Sequence, residues 1–400
     1  MKLMIFYSTD PFGPKVGGSS SFIKGLVKNA PSDIEIEFIG VTSDPHFPVK
    51  CWSHVKLGDK EFKFFPVLFE KNENKRHIIP LSFRFTFALL RCKLDYQGRV
   101  LFFNRIEPAV LFKNIDAPKM VVTHSDIEKQ IKNKGSEVFW SRFPWLYFAF
   151  ERYIFGFMTR VYAVSQSTIQ FYKKAYPYWA DKMSFLPTWV DDSIFKSAEL
   201  SKAEIRKGLD LSDEDKQGKW VLFVGRLQEQ KAPMRLIDTF KLYSQNEPDS
   251  RLIIVGDGNM KLDTEKYVNQ LGLQRQVIFI KSIKQELLVK YYQASDTLLL
   301  TSNFEGMAIC VLEALGCGLP VVSTDVGEAR LVVKNGYSGE VVESFEPKDI
   351  AQALKKVLVN PRAYSQENCL DSVKLYTPLQ VLTPVYIKIK EFNETIIKRP

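Results

Sequence analysis

The chain has 400 residues, of which 45% are hydrophobic and 25% charged, and its formal net charge is +9. That length predicts two or three domains, and that composition excludes a disordered or fibrous chain. No apolar run approaches the ~18 residues of a membrane-spanning helix, and the first apolar stretch is too short for a secretory signal. The 5 cysteines include no CxxC pair, so we expect a cytoplasmic protein without a disulfide framework or zinc site.

Positive charge is concentrated in the first half of the chain. Residues 1–195 hold 27 Lys and Arg against 19 Asp and Glu, whereas the remainder holds 28 against 27. This asymmetry predicts different roles for the two halves and suggests an anionic partner for the basic half. A scatter of surface lysines is the alternative explanation.

Short apolar segments alternate with helix-like stretches along the whole chain. The strand-like runs of the first half are LMIFY (3–7), IEFIGV (36–41), RVLFF (99–103), KMVVTH (119–124) and RVYAVS (160–165). Those of the second half are WVLFVG (220–225), RLIIVG (251–256), QVIFI (276–280), DTLLL (296–300) and PVVSTD (320–325). Runs without alternation indicate parallel strands covered on both faces. Two such series predict two doubly wound, Rossmann-like α/β domains facing a central cleft.

A polar stretch between the two series predicts the domain boundary. It runs from Leu186 to about Gly218 and includes the acidic run at 213–215. We therefore place the first domain at residues 1–190 and the second at 195–377. Residues 378–400 are predicted to form an amphipathic helix.

The strongest local signal is FEGMAICVLEALGCGLP at 304–320, which lies between two predicted strands. Its middle predicts a helix that ends at the glycines before Pro320. Glu305 is expected at the mouth of this helix, where free N–H groups favour anions, and Glu313 follows eight residues later. Two carboxylates so placed suit a hydroxyl-rich ligand. An ordinary buried helix that Glu305 caps is the alternative, although a buried Glu313 needs a partner.

Two cations follow the first strand of the second half. Arg226 and Lys231 lie in the connection between WVLFVG and the next predicted helix. A pair of cations beside a helix start can clamp a diphosphate and stabilise its charge as it departs. Solvated loop cations are the commoner outcome for such residues.

Three residues of the first half lie where strands end. Gly17 and Gly18 are predicted to open a helix, which lets the backbone approach a ligand closely. His124 ends the strand at 119–124, at the edge of the sheet where ligands bind. Position alone leaves both a functional and a structural role open for this histidine.

Several other motifs are incomplete or absent. Gly256-Asp257-Gly258 follows a strand, but Lys261 occupies the next glycine position of a dinucleotide fingerprint. The chain contains no GxxxxGK[ST], HExxH or GxSxG. The acidic run at 213–215 lies in a polar stretch, so we expect a solvated loop and no metal site. Basic and aromatic residues are not interleaved as in RNA-binding proteins, so no nucleic-acid partner is predicted.

Taken together, these segments resemble retaining glycosyltransferase family 4, the nucleotide-sugar glycosyltransferases of the GT-B fold. The most specific element is the E-x7-E motif formed by Glu305 and Glu313. Also similar are VGRL with its following lysine (224–231), IIVGDG (253–258), YYQASDTLLLTS (291–302) and GEARLVVKNGYSGEVV (327–342). In the first half, the glycine pair, VTHSD (122–126), VYAVSQST (161–168) and LPTWVDDSIF (186–195) follow the order of the family.

The resemblance implies a role for each candidate residue of the second half. Arg226 and Lys231 would bind the donor diphosphate and stabilise it as it leaves. Glu313 would hold the ribose hydroxyls of the nucleotide, and Glu305 would contact the transferred sugar at the reaction centre. The donor would also contact the segment made of Gly306, Met307, Ala308 and Ile309.

For the first half, the resemblance implies an acceptor-binding domain. Gly17 and Gly18 would approach the phosphates and the acceptor, and His124 would lie beside the transferred sugar or the acceptor hydroxyl. The helix at about 378–400 would cross back and pack on this domain. Asn104 and Arg105, which end the strand RVLFF, are predicted acceptor contacts.

The implied activity is that of a retaining, metal-independent hexosyltransferase without a cofactor. It would move a sugar from a UDP- or GDP-linked donor to a saccharide or lipid-linked acceptor, in bacterial-type synthesis of a cell-surface polysaccharide or glycolipid. A nucleotide-sugar epimerase or hydrolase, and a non-catalytic sugar-nucleotide-binding subunit, are the alternatives. The segment FPWLYFAFERYIFGF (143–157) suggests peripheral contact with the inner face of an anionic membrane, or else a core helix.

Three departures from the family pattern mark where this chain differs. Ala232-Pro233 follows Lys231 where a glycine is common, and Lys281 stands where the family usually has glycine. Met307-Ala308 replaces the common Phe-Gly, which leaves the transferred sugar open.

Overall fold

The computed structural model describes residues 1–13, 18–73, 77–124 and 143–397. The chain forms two compact units, one made of Met1–Thr188 with Pro378–Pro400 and the other of Trp189–Thr377. Each unit contains one sheet, and helices cover the sheets. Two parallel-sheet α/β units are the fold class that the sequence predicts.

The elements are named in chain order. The strands are β1 (Lys2–Phe6), β2 (Glu35–Thr42), β3 (Ser53–Leu57), β4 (Lys60–Phe69), β5 (Arg99–Phe103), β6 (Lys119–Thr123), β7 (Arg160–Ala163), β8 (Met183–Phe185), β9 (Trp220–Val224), β10 (Arg251–Val255), β11 (Val277–Ile280), β12 (Thr297–Leu300), β13 (Val321–Thr324) and β14 (Gly339–Val342). The helices are α1 (Gly18–Lys28), α2 (Leu81–Leu89), α3 (Pro144–Phe157), α4 (Gln166–Ala175), α5 (Lys202–Lys207), α6 (Pro233–Ser244), α7 (Lys261–Gln270), α8 (Gln285–Ala294), α9 (Ile309–Gly316), α10 (Ala329–Val332), α11 (Pro347–Val359), α12 (Gln366–Val373) and α13 (Pro378–Ile397).

The first unit is built on an eight-stranded sheet in the order β3-β4-β2-β1-β5-β6-β7-β8. Every pairing in it is parallel except that of β3 with β4 at the edge. The central strands are the apolar runs of the sequence, and β1, β5 and β6 are buried along almost their whole length. Strand β3 has no such run, because it is an edge strand whose residues alternate between exposed and half-buried.

Helix α13 belongs to the first unit although it is the last element of the chain. The hydroxyl of Tyr386 donates a hydrogen bond to the carbonyl of Leu26 at 2.7 Å. Lys390 forms an ion pair with Asp33, also at 2.7 Å. These contacts attach α13 beside α1.

The second unit is built on a six-stranded, fully parallel sheet in the order β11-β10-β9-β12-β13-β14. The strand order reverses between β9 and β12, which is where doubly wound sheets bind ligands at the carboxyl ends of their strands. The loops after β9 and β10 are packed backbone on backbone there. Gly256 has φ +149°, and a Cβ on it would lie 2.0 Å from the carbonyl oxygen of Gly225. The connection that carries Arg226 is therefore held tightly at the sheet edge.

The polar stretch that the sequence predicts as a linker packs within the second unit from Trp189 onward. Helix α5 lies in it and begins with a capping box made by Ser201 and Glu204. Arg206 of this helix contacts the carboxylate of Asp296 at 2.9 Å, and the same carboxylate accepts the N–H of Trp220 at 2.8 Å. Arg251 lies 3.5 Å from Asp215, so part of the acidic run is paired rather than solvated.

Within the described ranges, none of the helices combines the length and the apolar character that crossing a bilayer requires.

Candidate active site

The candidate residues of the second unit meet at the point where its strand order reverses. Arg226 and Lys231 follow β9, and Glu305 follows the neighbouring strand β12. The carboxyl ends of parallel strands lie at the same edge of a sheet, so two segments distant in sequence converge. This convergence creates one site of two cations and two carboxylates.

The centre of the site is an ion pair between Lys231 and Glu305. The Nζ atom of Lys231 lies 2.6 Å from Oε1 of Glu305, and the two side chains are only 13% and 10% exposed. Oε1 also accepts the hydroxyl of Ser302 at 2.7 Å, whereas Oε2 accepts only a long contact of 3.4 Å from Gln230. Oε1 of Glu305 is thus occupied by two hydrogen bonds, whereas Oε2 can still accept a hydrogen bond from a ligand hydroxyl.

Lys231 stays charged in this site. Burial lowers the pKa of Lys231, but the negative charge of Glu305 and its hydrogen bond outweigh burial, so the pKa is raised overall. The second cation, Arg226, is exposed and forms no ion pair with any of the described residues. One held cation and one exposed cation beside the start of a helix suit a diphosphate.

The structure corrects the position of Glu305 relative to helix α9. This helix begins at Ile309 with Ala308 as its N-cap, four residues after Glu305. The expectation that Glu305 lies at the helix mouth or caps it is therefore wrong. Glu305 stands in the preceding loop, whose backbone is fixed by a hydrogen bond from Glu328 N–H to the carbonyl of Gly306 at 3.0 Å.

The other residues predicted to touch the donor lie in the same loop and the first turn of α9. The side chain of Met307 is buried in the core of the second unit, so only its backbone faces the site. Ala308 and Ile309 are half-buried. The N–H groups of the first helical turn have no partners within the helix, so this segment offers hydrogen-bond donors to an anion.

Glu313 is buried in α9, and the partner that its burial requires is Tyr292. The hydroxyl of Tyr292 donates to Oε2 of Glu313 at 2.7 Å. Burial raises the pKa of Glu313 to about 7, although the Tyr292 bond opposes the shift. Burial raises the pKa of the Cys310 thiol to about 11, and the charges of Lys231, Glu305 and Glu313 are all close enough to affect that pKa.

Replacing Glu313 by glutamine is expected to stabilise the protein at alkaline pH. The Glu313 carboxyl has a higher pKa in the folded state than its ordinary 4.5. Its contribution to the free energy of unfolding is therefore complete below pH 4.5 and is lost as pH rises through 7. Glutamine removes that loss and still accepts the Tyr292 hydroxyl. In urea denaturation at pH 8, the free energy of unfolding of Glu313→Gln should exceed that of wild type by roughly 2–4 kcal/mol. At pH 4.5 the two proteins should be equally stable.

The matched control for this change is Glu151→Gln in helix α3. Glu151 is fully buried, burial raises its pKa to about 7, and it accepts hydroxyls of Tyr172 and Tyr176. The same loss of pH dependence is expected there, because the cause is burial in both cases. If the free energy of unfolding of either variant depended on pH as strongly as that of wild type, the buried glutamate would not be the cause of the pH dependence.

Ala232 is strained, and glycine at this position is expected to stabilise the protein. Ala232 has φ 48° and ψ 60° at the N-cap of α6. The left-handed region costs a non-glycine residue ~1–2 kcal/mol, against ~0.4–1 kcal/mol for the extra freedom of glycine in the unfolded chain. Ala232→Gly should therefore raise the free energy of unfolding by roughly 0.5–1 kcal/mol. The same change at Ala353, inside α11, should lower it by about 1 kcal/mol in the same urea titration.

Of the candidates in the first unit, Gly17 lies outside the described residues. Gly18 is exposed and begins α1. His124 follows β6 and is half-buried, with its Nε2 atom 2.6 Å from Oδ1 of Asn104. Asn104 is only 1% exposed, and its amide is bonded to His124 and to the Ser19 carbonyl, so its contact with an acceptor stays a prediction.

Sequence reasoning missed the residues that hold the predicted ones in place. Gln230 and Ser302 bond Glu305, Tyr292 bonds Glu313, and Asn104 bonds His124. The resemblance to YYQASDTLLLTS contained a signal for two of them, because that segment includes Tyr292 and Ser302. Lys281, where the family usually has glycine, is exposed just after β11.

Solved structures of similar proteins agree with the fold. Sucrose-phosphate synthase from Thermosynechococcus elongatus superposes with a TM-score of 0.77 at 18% identity, over 99% of this chain and 98% of that one. Anabaena HepE in complex with UDP and glucose superposes with a TM-score of 0.66 at 16% identity, over 100% and 99% of the two chains. These likenesses define the architecture as the GT-B fold.

Sequence comparison identifies the family of the second unit. The model of the family described as Glycosyl transferases group 1 matches residues 204–370. D-inositol 3-phosphate glycosyltransferase from Acidothermus cellulolyticus is 30% identical over 187 residues, which are 44% of this chain and 41% of that protein. Alpha-D-kanosaminyltransferase from Streptomyces kanamyceticus is 28% identical over 42% of this chain and 43% of that protein. The chain thus spans about two fifths of these relatives.

The match of residues 204–370 to the group 1 glycosyl transferase model, together with these relatives and structures, confirms the resemblance to GT-B glycosyltransferases predicted from the sequence.

Proposed function

We propose that this protein is a retaining glycosyltransferase that moves a sugar from a UDP- or GDP-linked donor to a saccharide or lipid-linked acceptor. A role in bacterial-type synthesis of a cell-surface polysaccharide or glycolipid is part of the proposal. The observation that supports it best is the buried Lys231–Glu305 pair, flanked by Arg226 and Glu313, at the reversal point of a family-matched sheet. The relatives are named as a glycosyltransferase and a kanosaminyltransferase, and these names agree with the proposal.

In the proposed reaction, the bond between the sugar and the donor phosphate breaks, and negative charge grows on the departing nucleoside diphosphate. Arg226 and Lys231 stabilise that charge. The first N–H groups of α9 add to this stabilisation. Glu313 accepts the ribose hydroxyls through the oxygen that Tyr292 does not occupy. The complexes of Anabaena HepE with UDP and glucose support a diphosphate nucleotide as the ligand of this fold.

The acceptor hydroxyl attacks from the face that the diphosphate leaves, which retains the configuration at the anomeric carbon. Two mechanisms give this result. In the first, the leaving phosphate takes the proton of the acceptor hydroxyl. In the second, a protein carboxylate first forms a covalent intermediate with the sugar. Glu305 is a weak nucleophile while Lys231 and Ser302 occupy its Oε1, so the ion pair favours the first mechanism. Arg226 and Lys231 supply the positive charge, so turnover is expected without a divalent cation.

The first experiment is thermal-shift binding of UDP, GDP, ADP and their sugar conjugates in the presence of EDTA. Wild type should be stabilised by one nucleotide family, and Glu313→Gln should weaken that binding while Glu151→Gln should not. Absence of binding by every nucleotide would contradict the proposal. Incubation of the donor alone then tests the first alternative, because an epimerase or hydrolase converts it without an acceptor. Addition of saccharide and lipid-linked acceptors tests the second, because a transferase then consumes the donor and a non-catalytic subunit leaves it unchanged.

We also propose that helix α3 rests on the anionic inner surface of a membrane. One face of the helix packs into the core through Tyr147, Ile154 and Phe155, and the opposite face exposes aromatic groups. Trp145 is 71% exposed and Tyr153 is 45% exposed. The Nζ atom of Lys113 lies 5.0 Å from the ring centroid of Tyr153 and adds positive charge. Aromatic rings beside cations are the composition of an interfacial contact.

Vesicle sedimentation tests this contact. Wild type should bind vesicles of anionic phospholipid at low salt and release them at high salt, and Trp145→Ser should bind several-fold less. Tyr178→Ser is the control, because that tyrosine is 93% exposed beyond α4. Equal binding by all three proteins, or none by wild type, would exclude α3 as a membrane contact.

A further inference from the structure

Three elements of the first unit meet around the side chain of Asn104. This residue follows β5, and its amide Nδ2 donates to the backbone carbonyl of Ser19 at 3.2 Å. Its Oδ1 lies 2.6 Å from Nε2 of His124, which follows the neighbouring strand β6. Ser19 stands in the first turn of α1, and its hydroxyl lies 2.8 Å from the hydroxyl of Tyr7 at the end of β1. Asn104 thus connects His124 to the start of α1.

The Ser19 carbonyl fixes the orientation of the Asn104 amide. A carbonyl oxygen can only accept hydrogen bonds, so the amide group that faces it must be the donor Nδ2. The amide oxygen then faces His124, and it too can only accept. The ring atom Nε2 must therefore carry a proton, because two acceptors at 2.6 Å would repel each other.

The imidazole carries only this one proton at neutral pH. Burial, and to a smaller extent the positive charge of Arg105, lowers the pKa of His124 to about 3. From α1, the ring that faces His124 is Phe22, in edge contact at 4.8 Å, which is apolar and does not titrate. The Nδ1 atom is consequently an unprotonated acceptor, and no side chain within the described ranges donates to it.

We infer that Asn104 is a positioning residue that holds His124 in the Nε2–H tautomer, so that Nδ1 accepts a hydrogen bond from a hydroxyl group of the substrate. This inference rests on the proposed function. It also defines the ligand chemistry at His124, because an unprotonated Nδ1 binds a sugar or acceptor hydroxyl and repels a phosphate oxygen. The histidine then serves neither as a cation for the diphosphate nor as a proton donor.

The tautomer is measured directly on protein labelled with 15N-histidine. Two-bond 1H–15N spectra separate the two neutral tautomers from the imidazolium, and His124→Gln identifies which of the 4 histidine signals is the relevant one. Wild type at pH 7 should show a protonated Nε2 and a bare Nδ1. A protonated Nδ1 at pH 7 would overturn the inference, whatever the enzyme activity proves to be.

Two variants of Asn104 separate positioning from a general structural role. Asn104→Ala should give a mixture of tautomers and a roughly tenfold lower kcat at every pH. In Asn104→Asp the carboxylate still accepts Nε2–H, but its charge raises the pKa of His124. The second carboxylate oxygen faces the Ser19 carbonyl and should lower turnover at every pH, so the result that supports positioning is a further loss of turnover as pH falls below 8.5, which a purely structural defect would not show.

The outcomes distinguish this inference from the proposed function. If wild type shows the expected tautomer but transfers no sugar from any nucleotide donor, the proposed function fails and the tautomer assignment survives. If sugar transfer is found and Asn104→Asp has the pH profile of wild type, the positioning role fails and the transferase survives.

Discussion

Lys231→Met is expected to lower both the turnover and the stability of the protein by large amounts. Removal of the ammonium group leaves the carboxylate of Glu305 almost fully buried without its countercharge, which costs about 3–5 kcal/mol of folding free energy. Loss of a preorganised cation at the departing diphosphate should lower kcat by about 10²–10³-fold. Urea denaturation and initial rates with the identified donor measure the two effects.

A double variant separates the two consequences. In Lys231→Met with Glu305→Gln, the uncompensated charge is gone, so most of the stability should return, while turnover should stay at the level of the single variant or below it. Lys356→Met is the matched control, because Lys356 pairs at 2.8 Å with another shielded glutamate, Glu340, in the same unit. This cation is 55% exposed and remote from the site, so a small loss of stability and unchanged kcat are expected. A double variant as unstable as Lys231→Met would contradict the assignment of the cost to Glu305.

The sequence predicts the two sheets well because their central strands are buried on both faces. Strands β1, β5 and β9 coincide closely with apolar runs, since a strand covered by helices needs apolar residues at every position. Strand β3 was missed because an edge strand alternates, and a half-exposed alternating segment has no continuous run. The start of α9 was misplaced because GMA contains no strong capping signal, and Ala308 caps without a side-chain bond.

The candidate site was predictable only to the level of its charged residues. Local patterns predict these residues. Arg226 and Lys231 follow the end of a strand, and Glu305 and Glu313 have the E-x7-E spacing. Two of their supports are not local: Gln230 reaches Glu305 from the connection after β9, and Tyr292 reaches Glu313 from another helix. Ser302, in contrast, lies in the same loop as Glu305. Only the need for a partner of Glu313 follows from sequence, because burying an unpaired carboxylate is costly wherever it occurs.

The backbone that carries Glu305 depends on one glycine, so Gly327→Ala is expected to lower both the stability of the protein and its turnover. Gly327 has φ +55°, and a Cβ there would lie 2.1 Å from the carbonyl oxygen of Gly306 and 2.8 Å from that of Glu305. The next residue, Glu328, donates its N–H to the same Gly306 carbonyl at 3.0 Å. The added methyl group must therefore push the Glu305–Gly306 peptide away from the turn.

Two costs are expected, and a second glycine separates them. Gly272 has φ +72° with nothing within 4 Å of its Cβ position, so Gly272→Ala measures the left-handed conformation alone, about 1 kcal/mol. Gly327→Ala should lose a further 1–3 kcal/mol or so from the overlap. Because a displacement of about 1 Å at a reacting group costs about 10²-fold, turnover should fall by that factor in Gly327→Ala and stay unchanged in Gly272→Ala. Equal stability and equal turnover in the two variants would show that the turn at Gly327 does not position Glu305.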